Sequence, residues 1–304
     1  MQVTNMPDSE GASIIAELTP PFTLQRPTEQ LTPAVFCSPH SGRVYPKAFL
    51  EASRLDPHTL RKSEDCYVDE LFEPVVDLGA PLIAARFPRA YLDVNREPYE
   101  LDPELFHGRL PAFANTQSAR VVGGLGTIAR IVADTEEIYR ERLPINAAFQ
   151  RIERLYRPFH GALADMLEKT RNQFGMAILI DCHSMPSAST GQPPGGRPHF
   201  VLGDRFGASC DVKLTRFMRD LLQRAGFDVQ VNRPYAGGFI TEHYGSPARG
   251  VHALQIEINR ALYLDEATLT KSRDFLKLRR ALGEMCASVF EALPVLLERR
   301  AAAE

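Results

Sequence analysis

Short apolar runs alternate along the chain with stretches whose apolar residues recur at helical spacing, the pattern of an α/β layer fold. Strands are expected at Ala34–Ser38, Pro81–Ala85, Ala90–Val94, Ala177–Asp181, His199–Leu202, Asp228–Val231 and Val251–Ile258. Several of these runs are almost unbroken, as strands buried on both faces should be. Helices are expected at Asp65–Leu78, Ile145–Phe174, Val212–Ala225 and Glu266–Arg299, the first three closed by Gly79, Gly175 and Gly226 and the last open to a break before Pro294. Two stretches fit neither period, Glu97–Thr127 and the Gly/Pro/Ser-rich loop Ser184–Pro198. A long loop of that kind inside a domain is usually functional or mobile. With no repeat and no clear linker, residues 1–304 read as a single α/β domain with a loose segment over about residues 1–25.

Composition removes several classes of function. Lys and Arg number 35 against 38 Asp and Glu, a net charge of −3, so the basic footprint of a nucleic-acid binder is missing. No apolar run approaches the ~20 residues of a membrane span, and no secretory signal pattern opens the chain. The five cysteines are scattered without a CxxC, which suits a reducing cytoplasm and gives no thiolate zinc knuckle.

Open α/β sheets bind ligands beyond the carboxyl ends of their strands. The polar residues there are Pro39-His40-Ser41-Gly42, Asp181-Cys182-His183-Ser184, and Asn95-Arg96, with Glu257, Asn259 and Arg260 in and after the last strand. Catalytic zinc takes imidazole and carboxylate ligands and keeps one position open for water. His40 and His183 could supply two ligands, and Ser63-Glu64-Asp65 a third. The plain alternatives are turn-bonded histidines and acids that open a helix, where they favour its macrodipole. Glu257 stands between Ile256 and Ile258, where an acid is costly unless paired or functional. Cys182 and His183 point to opposite faces of a strand and make a poor nucleophile pair, and no GxSxG elbow supports a serine hydrolase. Gly123-Gly124-Leu125-Gly126 lacks a phosphate-loop continuation, whereas Gly237-Gly238 allows close backbone approach and is followed by His243.

The segments SPHSGRVYP (Ser38–Pro46), SEDCYVDELF (Ser63–Phe72), RAYLDVNREP (Arg89–Pro98), LIDCHSMP (Leu179–Pro186), FVLGDRFGASC (Phe200–Cys210) and the run Asn232–Glu266 resemble, in this order, the N-formylglutamate amidohydrolase family. The resemblance implies a three-layer αβα fold with a mixed, mostly parallel sheet, similar to zinc carboxypeptidases and other zinc exopeptidases. It implies one zinc ion held by His40, Asp65 and His183, with Glu64 as the alternative carboxylate, and Glu257 as catalytic acid/base. Arg96 is then expected to stabilise the oxyanion or, with Arg89, to grip a substrate carboxylate bidentately, and Asn95 and His243 to contact substrate. The implied reaction is hydrolysis of N-formyl-L-glutamate to formate and glutamate, with a role in histidine degradation. Two other readings stay open: another N-acyl amino acid or short peptide as substrate, and a non-catalytic ligand-binding protein on this fold. The partner is a small molecule in each case. Oligomeric state is not legible.

Overall fold

Seven strands form one sheet: β1 (Phe22–Gln25), β2 (Ala34–Ser38), β3 (Leu82–Ala85), β4 (Ala177–Met185), β5 (Phe200–Gly203), β6 (Val229–Val231) and β7 (Val251–Asn259). Their order across the sheet is β1-β3-β2-β4-β7-β5-β6. The computed structural model describes residues 9–132, 136–187 and 198–297. Strand β2 runs parallel to β4, β4 to β7, and β5 to β6, whereas β5 lies antiparallel to β7. The fold is therefore α/β with a mixed, mostly parallel sheet and flanking helices. Every residue of β2, β3, β4 and β5 is buried, as their apolar runs require.

By internal contacts the chain divides into two compact units that interleave in sequence. One comprises residues 24–38, 67–83 and 165–304 and holds most of the sheet. Here the helix Val68–Phe72 packs on β4, and the helix Phe275–Leu296 packs on it and on the helix Val212–Arg224. Phe36 of β2 meets Phe72 and Phe290 at ring separations of 5.7 and 6.1 Å, so the core is built from the sheet outward. The helix Phe239–Tyr244 lies against β4 and β7.

The other unit comprises residues 1–23, 39–66 and 84–164. Residues 9–25, expected to be loose, hold the helix Ser9–Glu17 and the strand β1. The cause is a polar anchor in this unit. Arg151, 2% exposed, donates from Nε to Glu10 at 2.6 Å and from a terminal nitrogen to the Tyr139 hydroxyl at 2.7 Å and the Tyr91 carbonyl at 3.0 Å. Its guanidinium also stacks 3.9 Å from the Tyr91 ring centroid.

Other expectations shift at particular residues. Ala90–Val94 is a turn rather than a strand: Tyr91 and Leu92 donate to the Pro88 carbonyl, and Asp93 to that of Thr127. Tyr67 adopts φ 60, which ends any helix begun at Asp65, so Val68–Phe72 is followed only by a 3₁₀ turn, Glu73–Val75. A short ladder of Leu264–Asp265 with Thr270–Lys271 delays the last helix, and Pro294 sits inside its final turn without ending it. Of the Ser184–Pro198 loop, residues 188–197 lie outside the described residues.

Candidate active site

The chain leaves β2 at Ser38 into the turn Pro39-His40-Ser41-Gly42. A side chain at Gly42 would run into the Phe87 carbonyl, so only glycine lets this turn lie against the backbone of residues 86–87. The Asp65 amide donates to the His40 carbonyl at 3.1 Å, which brings the two side chains together: Asp65 Oδ2 is 3.3 Å from His40 Nδ1. On the other side of the ring, His40 Nε2 is 2.7 Å from Asp93 Oδ1. Asp93 is further met by the Asn95 backbone amide at 2.8 Å, by Arg89 at 2.8 Å and by Arg96 at 3.5 Å. Burial pushes its carboxyl up, but Arg96, His40 and Arg89 together outweigh this and hold it well below the usual carboxylate range. An ionised carboxylate only accepts, so His40 Nε2 donates the hydrogen to Asp93 and Nδ1 is left facing Asp65. An imidazole nitrogen and a carboxylate oxygen facing one another at 3.3 Å form a donor pair that a shared metal ion would suit.

Glu64 is engaged elsewhere. It accepts from the Tyr45 hydroxyl at 2.6 Å, from Arg61 Nε at 3.2 Å and from the Cys66 thiol at 3.3 Å. Burial, reinforced by Glu64, pushes the Tyr45 phenol up, so this hydroxyl stays a donor. Neither Glu64 nor Asp65 opens a helix, because the helix that follows starts at Val68.

In the sheet-bearing unit, Asp181 pairs in register with Gln255, and His183 with Glu257. Since strand side chains alternate, these four share one face. All four are buried. The sequence places His183 in a loop after a strand ending at Asp181, but β4 runs on to Met185 because β7 continues to pair with it. His183 Nε2 lies 3.0 Å from Asp181 Oδ1. Glu257 Oε1 accepts from Gln255 Nε2 at 2.9 Å, and Gln255 Oε1 accepts from the Gly238 amide at 2.8 Å. Beyond the strands, Arg260 is buried and its Nε donates to Ser184 Oγ at 3.2 Å. Cys182 turns to the other face, and burial pushes its thiol well up, which removes it as a nucleophile.

Among the expected substrate contacts, Arg89 and Arg96 both turn to Asp93. Arg96 also donates to the carbonyls of Leu125 and Asn95, at 3.0 and 2.9 Å. Asn95 is buried, and its backbone amide donates to Asp93. His243 is exposed and stacks on Phe239 at 5.0 Å. The sequence reading gave no part to Asp93, Asp181 or Gln255, which the structure sets beside His40, His183 and Glu257. A signal was present for two of them: each of Asp181 and Gln255 stands two residues before a candidate site residue in the same strand, and hence on its face.

Among the described residues, one unit offers the buried imidazole of His40 and carboxylate of Asp65, and the other the buried imidazole of His183. The donor chemistry fits a divalent ion. His40 has a carboxylate hydrogen-bonded at Nε2, the arrangement that orients metal-ligating histidines.

The sequence profile of the N-formylglutamate amidohydrolase family matches residues 32–264. The N-formylglutamate deformylase of Pseudomonas putida is 32% identical over 241 residues, 77% of this chain and 82% of the relative. That of Pseudomonas aeruginosa is 30% identical over 237 residues, 77% and 83% of the two chains. The crystal structure of N-formylglutamate amidohydrolase from Ralstonia eutropha JMP134 superposes with a TM-score of 0.86 at 35% identity, covering 90% of this chain and 99% of that one. With a matching profile over most of its length and relatives of this similarity, the chain belongs to the N-formylglutamate amidohydrolase family.

Proposed function

We propose that this protein hydrolyses the amide bond of N-formyl-L-glutamate, releasing formate and L-glutamate. The relatives named for this reaction support the substrate. The observation that carries the chemistry is the buried His40 and Asp65 pair, facing one another at 3.3 Å, which with His183 as a further imidazole would make a donor set suited to a single zinc ion. Bound there, such an ion would supply Lewis acidity toward the acyl carbonyl and toward a water.

The chain's own residues do the rest. Asp93 orients the His40 imidazole, and the Asp181 carboxylate stands 3.0 Å from that of His183. Glu257 accepts the proton of the attacking water and returns it to the departing amine nitrogen, so that one carboxylate serves both halves of the reaction. Arg96 and Arg89 carry the positive charge that an acidic amino acid or a developing oxyanion requires, with Asn95 and His243 as further contacts. Asp93 offsets part of that charge before substrate arrives. The five cysteines are free and buried, consistent with a cytoplasmic enzyme.

Formate release from N-formyl-L-glutamate, assayed with and without a chelator and beside N-acetylglutamate and short peptides, tests this reading. The expected result is metal-dependent formate release, lost in Glu257→Gln while bound metal is retained. Formate release that survives complete removal of metal would overturn the metal chemistry. Preferred turnover of another N-acyl amino acid or a peptide would move the substrate, and binding without turnover of any of them would make the protein a ligand-binding member of the fold.

A further inference from the structure

We propose that Gln255 is a positioning residue for Glu257, and that through it the Gly237-Gly238 backbone holds the carboxylate in its working orientation. The inference rests on the reading of Glu257 as the proton-transferring group.

Strand β7 is apolar around this point, with Ala253, Leu254, Ile256 and Ile258 all buried. A primary amide at a position only 4% exposed is costly unless both of its ends are bonded. Both ends of Gln255 are. A backbone N–H can only donate, so the Gly238 amide, 2.8 Å away, must face Oε1, and this forces Nε2 toward Glu257 Oε1 at 2.9 Å. The orientation of the amide thus follows from its partners. The terminal torsion of a glutamate is broad and roughly two-fold on its own. A fixed donor two residues away on the same face narrows it.

The other end of this link is rigid. Gly237 adopts φ +125, and a side chain there would meet Thr241 Oγ1 at 2.5 Å and Arg205 Cγ at 3.0 Å. Thr241 Oγ1 donates to the Gly238 carbonyl at 2.9 Å, and the Arg205 amide to the Ala236 carbonyl at 2.8 Å. Gly203, at the end of β5, has backbone of Ala236 and Gly237 where its own side chain would be. The segment is therefore seated on β5 by contacts that tolerate only glycine at two places. Gln255 transmits that seating to Glu257.

Kinetics of the full-length enzyme on N-formyl-L-glutamate test the link, with metal content measured for each variant. Gln255→Glu keeps the size and the acceptor for Gly238 but replaces the donor facing Glu257. Gln255→Leu removes both ends. Each is expected to lower kcat by about tenfold to a hundredfold, as loss of an orienting partner does, with KM and bound metal nearly unchanged. Gly237→Ala should lower kcat in the wild-type background and have little further effect beside Gln255→Leu, because both act on one link. If Glu257→Gln is inactive while both Gln255 variants stay within about threefold of wild type, the proposal is overturned and the hydrolytic reading stands. A loss appearing in KM or in metal content also overturns it, as does an effect of Gly237→Ala that adds in full to that of Gln255→Leu. Wild-type turnover by Glu257→Gln would remove the role of Glu257 and this proposal with it.

Discussion

His40 Nε2 lies 2.7 Å from Asp93 Oδ1, and both side chains are buried. The pair fixes the ring so that Nδ1 points at Asp65, and the arginines beside Asp93 keep its carboxylate charged. Replacing Asp93 with Ala leaves His40 free to turn, and Asn keeps the shape without the charge. Metal affinity should fall by about tenfold to a hundredfold in Asp93→Ala, and by less in Asn. Competition for the ion with a graded chelator measures this. Wild-type retention in Asp93→Ala would show that the contact does not orient a ligand.

The two acids of the Ser63-Glu64-Asp65 segment should separate cleanly. Asp65→Asn is expected to lose bound metal, because its carboxylate faces His40. Glu64→Gln should keep it, because Glu64 is held by Tyr45, Arg61 and Cys66. Elemental analysis of the two purified variants decides the matter, and the reverse pattern would make Glu64 the ligand.

Arg151 should be a stability residue without a part in turnover. Its removal leaves Glu10 and the Tyr139 hydroxyl without their cation and takes away the stacking on Tyr91. Breaking such a buried pair from one side costs about 3–5 kcal/mol. Arg151→Met should show that loss in urea unfolding, and Arg151→Lys much of it, since an ammonium cannot reproduce the planar fork. A change below about 1 kcal/mol would mean that the helix Ser9–Glu17 is held by other contacts.

Asp56 gives a pH-dependent contribution whose sign can be worked out. It caps the helix Pro57–Arg61, accepting from the Thr59 hydroxyl at 2.7 Å and from the amides of Thr59 and His58. The Thr59 hydroxyl, with these amides, lowers its carboxyl below the usual value. A group lowered in the folded state stabilises above its unfolded pKa, and that stability is lost as pH falls through the folded value. Asp56→Ala should therefore melt below wild type at neutral pH, with the gap closing as pH is brought down through about 4 and below. A gap that stays constant with pH would show that the cap acts without its charge.

Much of the architecture was legible because it rests on burial. The runs AVFCS, AILI and VHALQIEI are apolar enough to become interior parallel strands, and the glycines at 175 and 226, both at positive φ, stop the helices where expected. Ala90–Val94 misled because its residues are mostly apolar and all buried, yet their backbone groups bond within a turn and to Thr127. Apolar character reports burial and says nothing of where the hydrogen bonds go. The end of β4 was missed for the converse reason: Cys182, His183, Ser184 and Met185 look like loop, but pairing with β7 carries them on as strand.

Residue chemistry and strand order along the chain brought forward His40, His183, an acid of the Ser63–Asp65 segment and Glu257 as candidates, since few side chains can bind a cation or move a proton. Three-dimensional structure alone turned Asp65 toward His40 and Glu64 toward Tyr45, turned Arg89 and Arg96 onto Asp93, and set Gln255 between Glu257 and Gly238. The reason is physical: a side chain's type is local, but the partner that orients it is brought by distant backbone, and no spacing in the chain encodes that distance.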